Sequence, residues 1–413
     1  MDQIKQRVEE ILEGAEKKLA PEFAAIDRIA LHNQEKVLDA FLAEQVGLRH
    51  FAGTTGYGYD DIGRDTLNRI FARVLRTEDA LVSSHILSGT HAISTAFFGV
   101  LRPGDLLLSL TGAPYDTLAE IIDKEESGSL RDFGIRFGQV DLLADGEIDR
   151  EGIRQALTER KPRMVFVQRS RGYAARNPLS IRKIREIFDL ARTYAPESVV
   201  LVDNCYGEFT EEEEVGVCCD LCAGSLIKNP GGGLAPSGGY IAGKKELVEL
   251  CANRLTTPST GAEIGSNAGG YQYYYQGLFM APHVTAQSLK GALLIGETLK
   301  AMGYCLVPGT QADCFDIIRA VQFPTAEELI EFCREIQKAS PVDGYVTPYP
   351  WDMPGYTDQV IMAAGCFVQG SSIELSCDAP IRPPYVAYIQ GGLTYEHVRI
   401  ALSRCCRKLL AMR

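Results

Sequence analysis

LVDNCYGEFTEEEEVGVCCDLCAGSLIKNPGGGLAPSGGYIAG, residues 201–243, is the stretch from which the fold can be read. An apolar run, Val199 to Val202, delivers Asp203 at its end; a second, Cys222 to Ile227, delivers Lys228 25 residues after that aspartate, ahead of a glycine-dense loop. Short apolar runs bounded by turn residues read as buried strands. A carboxylate and an amine therefore stand at strand ends, which is where open α/β sheets bind ligands. A lysine amine can hold an aldehyde as a Schiff base and a carboxylate can keep a pyridine nitrogen protonated. Pyridoxal 5'-phosphate needs both, and Asp203 and Lys228 are the candidates. The competing readings are a surface lysine at a strand end and an N-capping aspartate.

Outward from this stretch, strand-like runs recur at Ala80–Val82, Leu106–Leu110, Met164–Val167 and Gly239–Ala242, with helical spacing between most of them. Strands joined by helix-length connections require crossovers, hence a mainly parallel sheet with helices on both faces. Before this region, residues 1–45 repeat apolar positions at helical intervals, with Pro21 expected to break the first segment. The loop GLRHFAGTTGYGYDDIG, residues 47–63, follows. Beyond it the chain divides into a large domain, 46–288, and a smaller α+β domain, 289–413. In the latter, helices are expected over Ala286–Met302, Ala326–Ala339 and Tyr395–Met412, and strands over Asp316–Val321, Gln359–Ala363 and Ile373–Leu375. The acid run Glu211–Glu214 reads as a solvated loop.

The 413 residues are 46% hydrophobic and 23% charged, with 42 basic against 54 acidic residues and a net charge of -12. Mean hydropathy is -0.06. No cluster of Lys and Arg is present to neutralise a phosphate backbone, so a nucleic-acid partner is not expected. The uncharged stretch Ala80–Leu101 holds two histidines and several hydroxyls, too polar for a membrane span; it reads as a strand, a turn and the start of a buried helix. MDQIKQRVEE has no apolar signal region, so the 12 cysteines are expected as reduced thiols in the cytoplasm. Cys219 and Cys222 lack a second pair at ligand spacing, and no metal is expected.

Two phosphate motifs fail. Gly233–Gly238 is followed by Gly239 and Tyr240 rather than lysine, which excludes the nucleoside-triphosphate loop, and no G-x-G-x-x-G joins a strand to a helix. Ser88-Gly89-Thr90 remains, a small-residue turn opening an apolar helix, where unpaired N–H groups and the helix dipole favour phosphate.

SGTHAIS (88–94), APYDT (113–117), VLVDN (200–204) and GSLIK (224–228) together resemble the fold-type-I pyridoxal-phosphate enzymes of the Cys/Met metabolism group. Within that group the chain is most similar to the methionine gamma-lyase-like family named after cystathionine beta-lyase and aluminium resistance. The resemblance implies a mainly parallel seven-stranded sheet plus a smaller C-terminal α+β domain. It places Lys228 on the cofactor aldehyde, Asp203 on the pyridine nitrogen, and Ser88, Gly89, Thr90 and Ser225 on the phosphate. Tyr115 would stack on the ring and act as an acid or base, and Tyr57, Tyr59 and Arg64 would reach a neighbouring subunit's phosphate in a homodimer or homotetramer. Arg382 would take the substrate carboxylate. Departures from the family pattern fall at Tyr57-Gly58-Tyr59-Asp60, in the loop NPGGGLAPSGGY, and at Gln168-Arg169-Ser170-Arg171-Gly172-Tyr173, whose Arg169 and Arg171 become substrate-binding candidates.

The implied activity is a carbon-sulfur lyase that removes a thiol from a small sulfur amino acid by beta or gamma elimination. The alternatives are an aminotransferase or other amino-acid enzyme using the same cofactor, and a catalytically silent binder of it in metal stress response.

Overall fold

The computed structural model describes residues 2–309, 315–353 and 358–413. Seven strands form the larger sheet: β1 (Asp79–Ser83), β2 (Leu106–Ser109), β3 (Arg136–Gln139), β4 (Met164–Gln168), β5 (Val199–Asp203), β6 (Leu221–Ser225) and β7 (Gly239–Gly243), ordered β1-β7-β6-β5-β4-β2-β3. The pairs among β2 to β6 are parallel, and β7 runs antiparallel to both its neighbours. Alternation divides each buried strand between two cores. Val165, Val167, Val200 and Val202 enter one, and Met164, Phe166, Val199 and Leu201 enter the other. β3 has no apolar run to announce it: RFGQ is a mostly exposed edge.

The smaller sheet is antiparallel, built from β8 (Cys305–Leu306), β9 (Ile318–Phe323), β10 (Val360–Ala363), β11 (Ser376–Pro380) and β12 (Tyr385–Gln390), ordered β10-β11-β12-β9-β8. The strand expected at Ile373–Leu375 lies further on, at Ser376–Pro380, and β12 follows it immediately. Pro383 and Pro384 mask the onset of β12 in the sequence. Helices Ala326–Lys338 and Tyr395–Ala411 cover one face of this sheet, where Cys377, Ala379, Ala387 and Ile389 pack.

Two long helices join the sheets. Gln272–Ala301 puts Tyr274, Tyr275 and Leu278 into the large core and Leu294, Ile295 and Leu299 into the small one. It begins well before the expected Ala286 and carries Pro282 within it. The N-terminal helix is also continuous, Asp2–Ala43, and does not break at Pro21. An interior proline removes one backbone hydrogen bond, but packing on both sides holds the helix together. Val8 and Leu12 sit in the small core, Leu19 and Ile26 lie against the long helix, and Val37 and Ala40 reach the large core. Polar contacts fasten it: Asn33 Nδ2 donates to Phe209 O and Glu211 O at 3.2 and 3.0 Å, and Lys36 pairs with Glu214 at 2.6 Å. Near its start, Glu16 accepts from Tyr395 at 2.7 Å and pairs with Arg399 at 2.8 Å.

Glu211–Glu214 is therefore not a solvated loop. Glu212 and Glu213 face solvent, whereas Glu214 is buried on Lys36 and Glu211 turns inward onto Arg169. Among the described residues no helix is long and apolar enough to cross a membrane.

Candidate active site

Register brings Gln168, Asp203 and Ala223 side by side at the carboxyl ends of β4, β5 and β6, with Ser225 closing β6 and Lys228 just beyond. The loop carrying Lys228 is tied to the loop after β5 by Asn229, whose Nδ2 donates to Tyr206 O and Glu208 O, each at 3.0 Å. Lys228 Nζ lies 4.1 Å from the centre of the Tyr206 ring. Burial works against its charge, but Cys205, Tyr206 and Asp203 outweigh that and hold the amine above its ordinary range. Burial pushes the Asp203 carboxyl up; Lys228 and the Cys205 N–H, which donates to Asp203 Oδ1 at 3.1 Å, oppose it.

A phosphate would meet the other end of the pocket. Ser88 caps helix Gly89–Val100, its hydroxyl accepting from His91 N–H at 3.0 Å, so the amides of Gly89 and Thr90 open the helix. Thr90 Oγ1 lies 3.1 Å from Thr117 Oγ1. A Cβ on Gly89 would come 3.0 Å from Cys205 Sγ, so any larger residue would crowd the cradle. Ser225 Oγ is buried with no hydrogen-bond partner. A helix N-terminus, a buried unsatisfied hydroxyl and a lysine–aspartate pair are the features pyridoxal phosphate requires, and these residues fit it.

The cleft between the sheets has a volume of about 680 Å³. Gly89, Thr90, Tyr115, Asp203 and Lys228 line it from the large sheet. Tyr115 is positioned by Gln168, whose Oε1 accepts its backbone N–H at 2.8 Å. Its ring lies 5.9 Å from that of Tyr173, which in turn lies 4.8 Å from Tyr388 on β12. Ile318, Asp378, Tyr388 and Gln390 close the cleft from the small sheet.

Other expected residues lie elsewhere. Arg169 follows Gln168 and, by strand alternation, points to the opposite face, where it is fully buried. There it donates to Asn204 Oδ1 at 2.8 Å and pairs with Glu211 at 2.6 Å, so it is a core cation turned away from substrate. Arg382 is half exposed and paired with Asp358 at 2.8 Å, outside the cleft lining. Arg171 stays near the cleft, its Nη1 donating to Val307 O at 2.5 Å and its charge acting on Tyr388. Tyr57 and Tyr59 are exposed, with ring centres 5.6 Å apart, and Arg64 is buried on Gly58 O and Asp65. None of these three lines the cleft of its own chain.

Sequence reasoning missed Cys205, Tyr206, Gln168 and Asp378. The first two lie two and three residues past Asp203 and could have been found by continuing the strand-end logic that far. Asp378 announces itself weakly, as one acid in the apolar strand SCDAP.

A mainly parallel sheet with a lysine and an aspartate at its strand ends, a glycine-opened helix facing them and a small sheet closing the cleft defines a fold-type-I pyridoxal-phosphate enzyme. The sequence profile of the methionine gamma-lyase family matches residues 8–410, and the chain belongs to that family. Uncharacterized protein YnbB of Bacillus subtilis is 51% identical over 389 residues, 93% of this chain and 92% of that one. A Listeria monocytogenes structure, described as a candidate cystathionine beta-lyase involved in aluminum resistance, is 50% identical with a TM-score of 0.95, covering 97% of this chain and 100% of that one. A carbon-sulfur lyase involved in aluminum resistance from Clostridium novyi is 45% identical with a TM-score of 0.94, covering 98% and 97%.

Proposed function

We propose that this chain eliminates a thiol from a small sulfur-containing amino acid, the unsaturated product taking up one water to give an oxo acid and ammonia. The reading is carried by Lys228, half-buried at the floor of the cleft between Asp203 and the Tyr206 ring. Bound pyridoxal phosphate supplies an electron sink that acidifies the α C–H of an attached amino acid. Asp203 is placed to keep a proton on the pyridine nitrogen, which strengthens that sink. Lys228 would hold the cofactor aldehyde and, when its amine is free, would serve as the base for the α proton. Tyr115, whose backbone is held by Gln168, would stack on the cofactor ring and serve as a proton donor to the leaving sulfur. Ser88, Gly89, Thr90 and Ser225 take the phosphate, and of the three arginines expected at the substrate Arg171, behind the cleft lining, is the one left near enough to act on its carboxylate. Tyr57, Tyr59 and Arg64 complete a neighbouring subunit's phosphate site, which makes the working unit a homodimer or homotetramer. The described cysteines are all free thiols, which suits a reducing compartment such as the cytoplasm.

Incubation of the holoenzyme with cystathionine, methionine and cysteine should release thiol and oxo acid in equal amounts from at least one of them. Conversion of the cofactor to its amine form without thiol would replace this reading with transamination. No product from any of the three would leave it without support.

A further inference from the structure

Asp378 is the middle residue of β11. Its neighbours Cys377 and Ala379 pack into the small-domain core, so strand alternation turns Asp378 to the opposite face, opposite Tyr388 in the register and over the cleft. Gln390 Nε2 donates to its Oδ2 at 3.3 Å, and the Tyr173 hydroxyl faces it. Burial raises this carboxyl to about 6, with Tyr173, Gln390 and Lys228 opposing the rise, so it is mostly ionised at neutral pH. Among the described residues, the charged side chains lining the cleft are Lys228, Asp203 and Asp378. Lys228 and Asp203 belong to the cofactor, so Asp378 is the lining charge that faces the substrate.

We propose that Asp378 recognises an ammonium group on the thiol half of the substrate, so that the cleft selects aminated thioethers over plain alkyl ones. The proposal rests on the carbon-sulfur lyase reading above and names its substrate class. A far end ending in a methyl group would leave the carboxylate desolvated without a counter-charge, and one ending only in a carboxylate would be repelled. An ammonium gains a charge-assisted hydrogen bond to Asp378 and the faces of Tyr173 and Tyr388, whose rings lie 4.8 Å apart. Of the substrates named above, cystathionine carries such a group and methionine does not.

The test uses an isosteric pair, S-(2-aminoethyl)-L-cysteine and S-propyl-L-cysteine, which differ by an ammonium against a methyl. Binding is measured by calorimetry on holoenzyme inactivated with borohydride, and kcat/KM on the active holoenzyme, for the native protein and for Asp378→Asn. The native protein should prefer the aminoethyl compound by roughly 30-fold in both measurements, and Asp378→Asn should reduce that preference to below about threefold. Equal binding of the two compounds by the native protein, or an unchanged preference in the variant, overturns the proposal. If neither compound is turned over, elimination at the β carbon fails, while the binding comparison still decides whether Asp378 selects an ammonium.

Discussion

Replacing Arg169 with methionine should destabilise the protein by about 3 kcal/mol while leaving the substrate KM within about threefold. The guanidinium is fully buried, and its donors go to Glu211 at 2.6 Å, Asn204 Oδ1 at 2.8 Å, and Leu179 O and Thr210 Oγ1 at 3.3 Å. It packs so closely on Gly207 that a Cβ there would come within 2.4 Å of its side chain. Methionine fills the stem volume but takes the guanidinium away from the Glu211 carboxylate and from the Asn204 amide oxygen. Breaking a buried pair in this way costs about 3–5 kcal/mol. Glu211 keeps some solvent contact and the Ile181 N–H at 3.0 Å, which places the cost at the lower end. About 3 kcal/mol is a roughly 150-fold change in the folding equilibrium. It is read as a drop in denaturant midpoint at constant slope. Adding Glu211→Leu removes the stranded charge, so the double variant should recover part of the loss. A loss below about 1 kcal/mol together with a KM raised tenfold or more would place Arg169 at the substrate and refute the reasoning.

Lys228→Ala should yield no cofactor–protein bond after borohydride reduction, checked by the mass of the intact chain; a reduced adduct in the variant would move the attachment to another lysine. Asp203→Asn should retain part of the cofactor and lose on the order of 100-fold or more in kcat, and near-native turnover would count against its place at the pyridine nitrogen. Burial pushes Glu208 up to about 8, against the hydrogen bond from Tyr240 and the charge of Arg169. The folded chain then keeps a proton that the unfolded chain gives up above the ordinary carboxylate range, so this group costs stability as pH rises toward 8. Glu208→Gln should therefore gain stability over the native protein at pH 8 relative to pH 5, on the order of 2 kcal/mol, and parallel denaturation profiles would show that the group does not titrate there. Light scattering on active holoenzyme should give a dimer or larger, with Tyr57→Ala weakening cofactor retention; an active monomer would exclude a shared phosphate site.

What was legible in the sequence had a local cause. Val199–Val202 and Cys222–Ile227 are apolar runs that each close on a charged residue, so the positions of Asp203 and Lys228 followed from burial alone. β3 was invisible because an exposed edge needs no apolar residues. Arg169 misled because adjacent residues at a strand end point to opposite faces, and the sequence did not say which face opens on the cleft. Glu211 and Glu214 looked solvated because their partners, Arg169 and Lys36, are distant in the chain. Asp378 was hidden for the same reason, since the cleft forms only when the small sheet closes over the large one.

The N-terminal helix has a bearing on how the two sheets come apart. Its first half leans on Glu297, Tyr395 and Arg399, and its second half holds the backbone just behind the Asp203 loop at Phe209 and Glu211. Val8 and Leu12 belong to the small core and Val37 and Ala40 to the large one, so peeling this one helix away strips apolar cover from both cores at once. Unfolding is thereby coupled across the cleft: neither half loses its staple without the other.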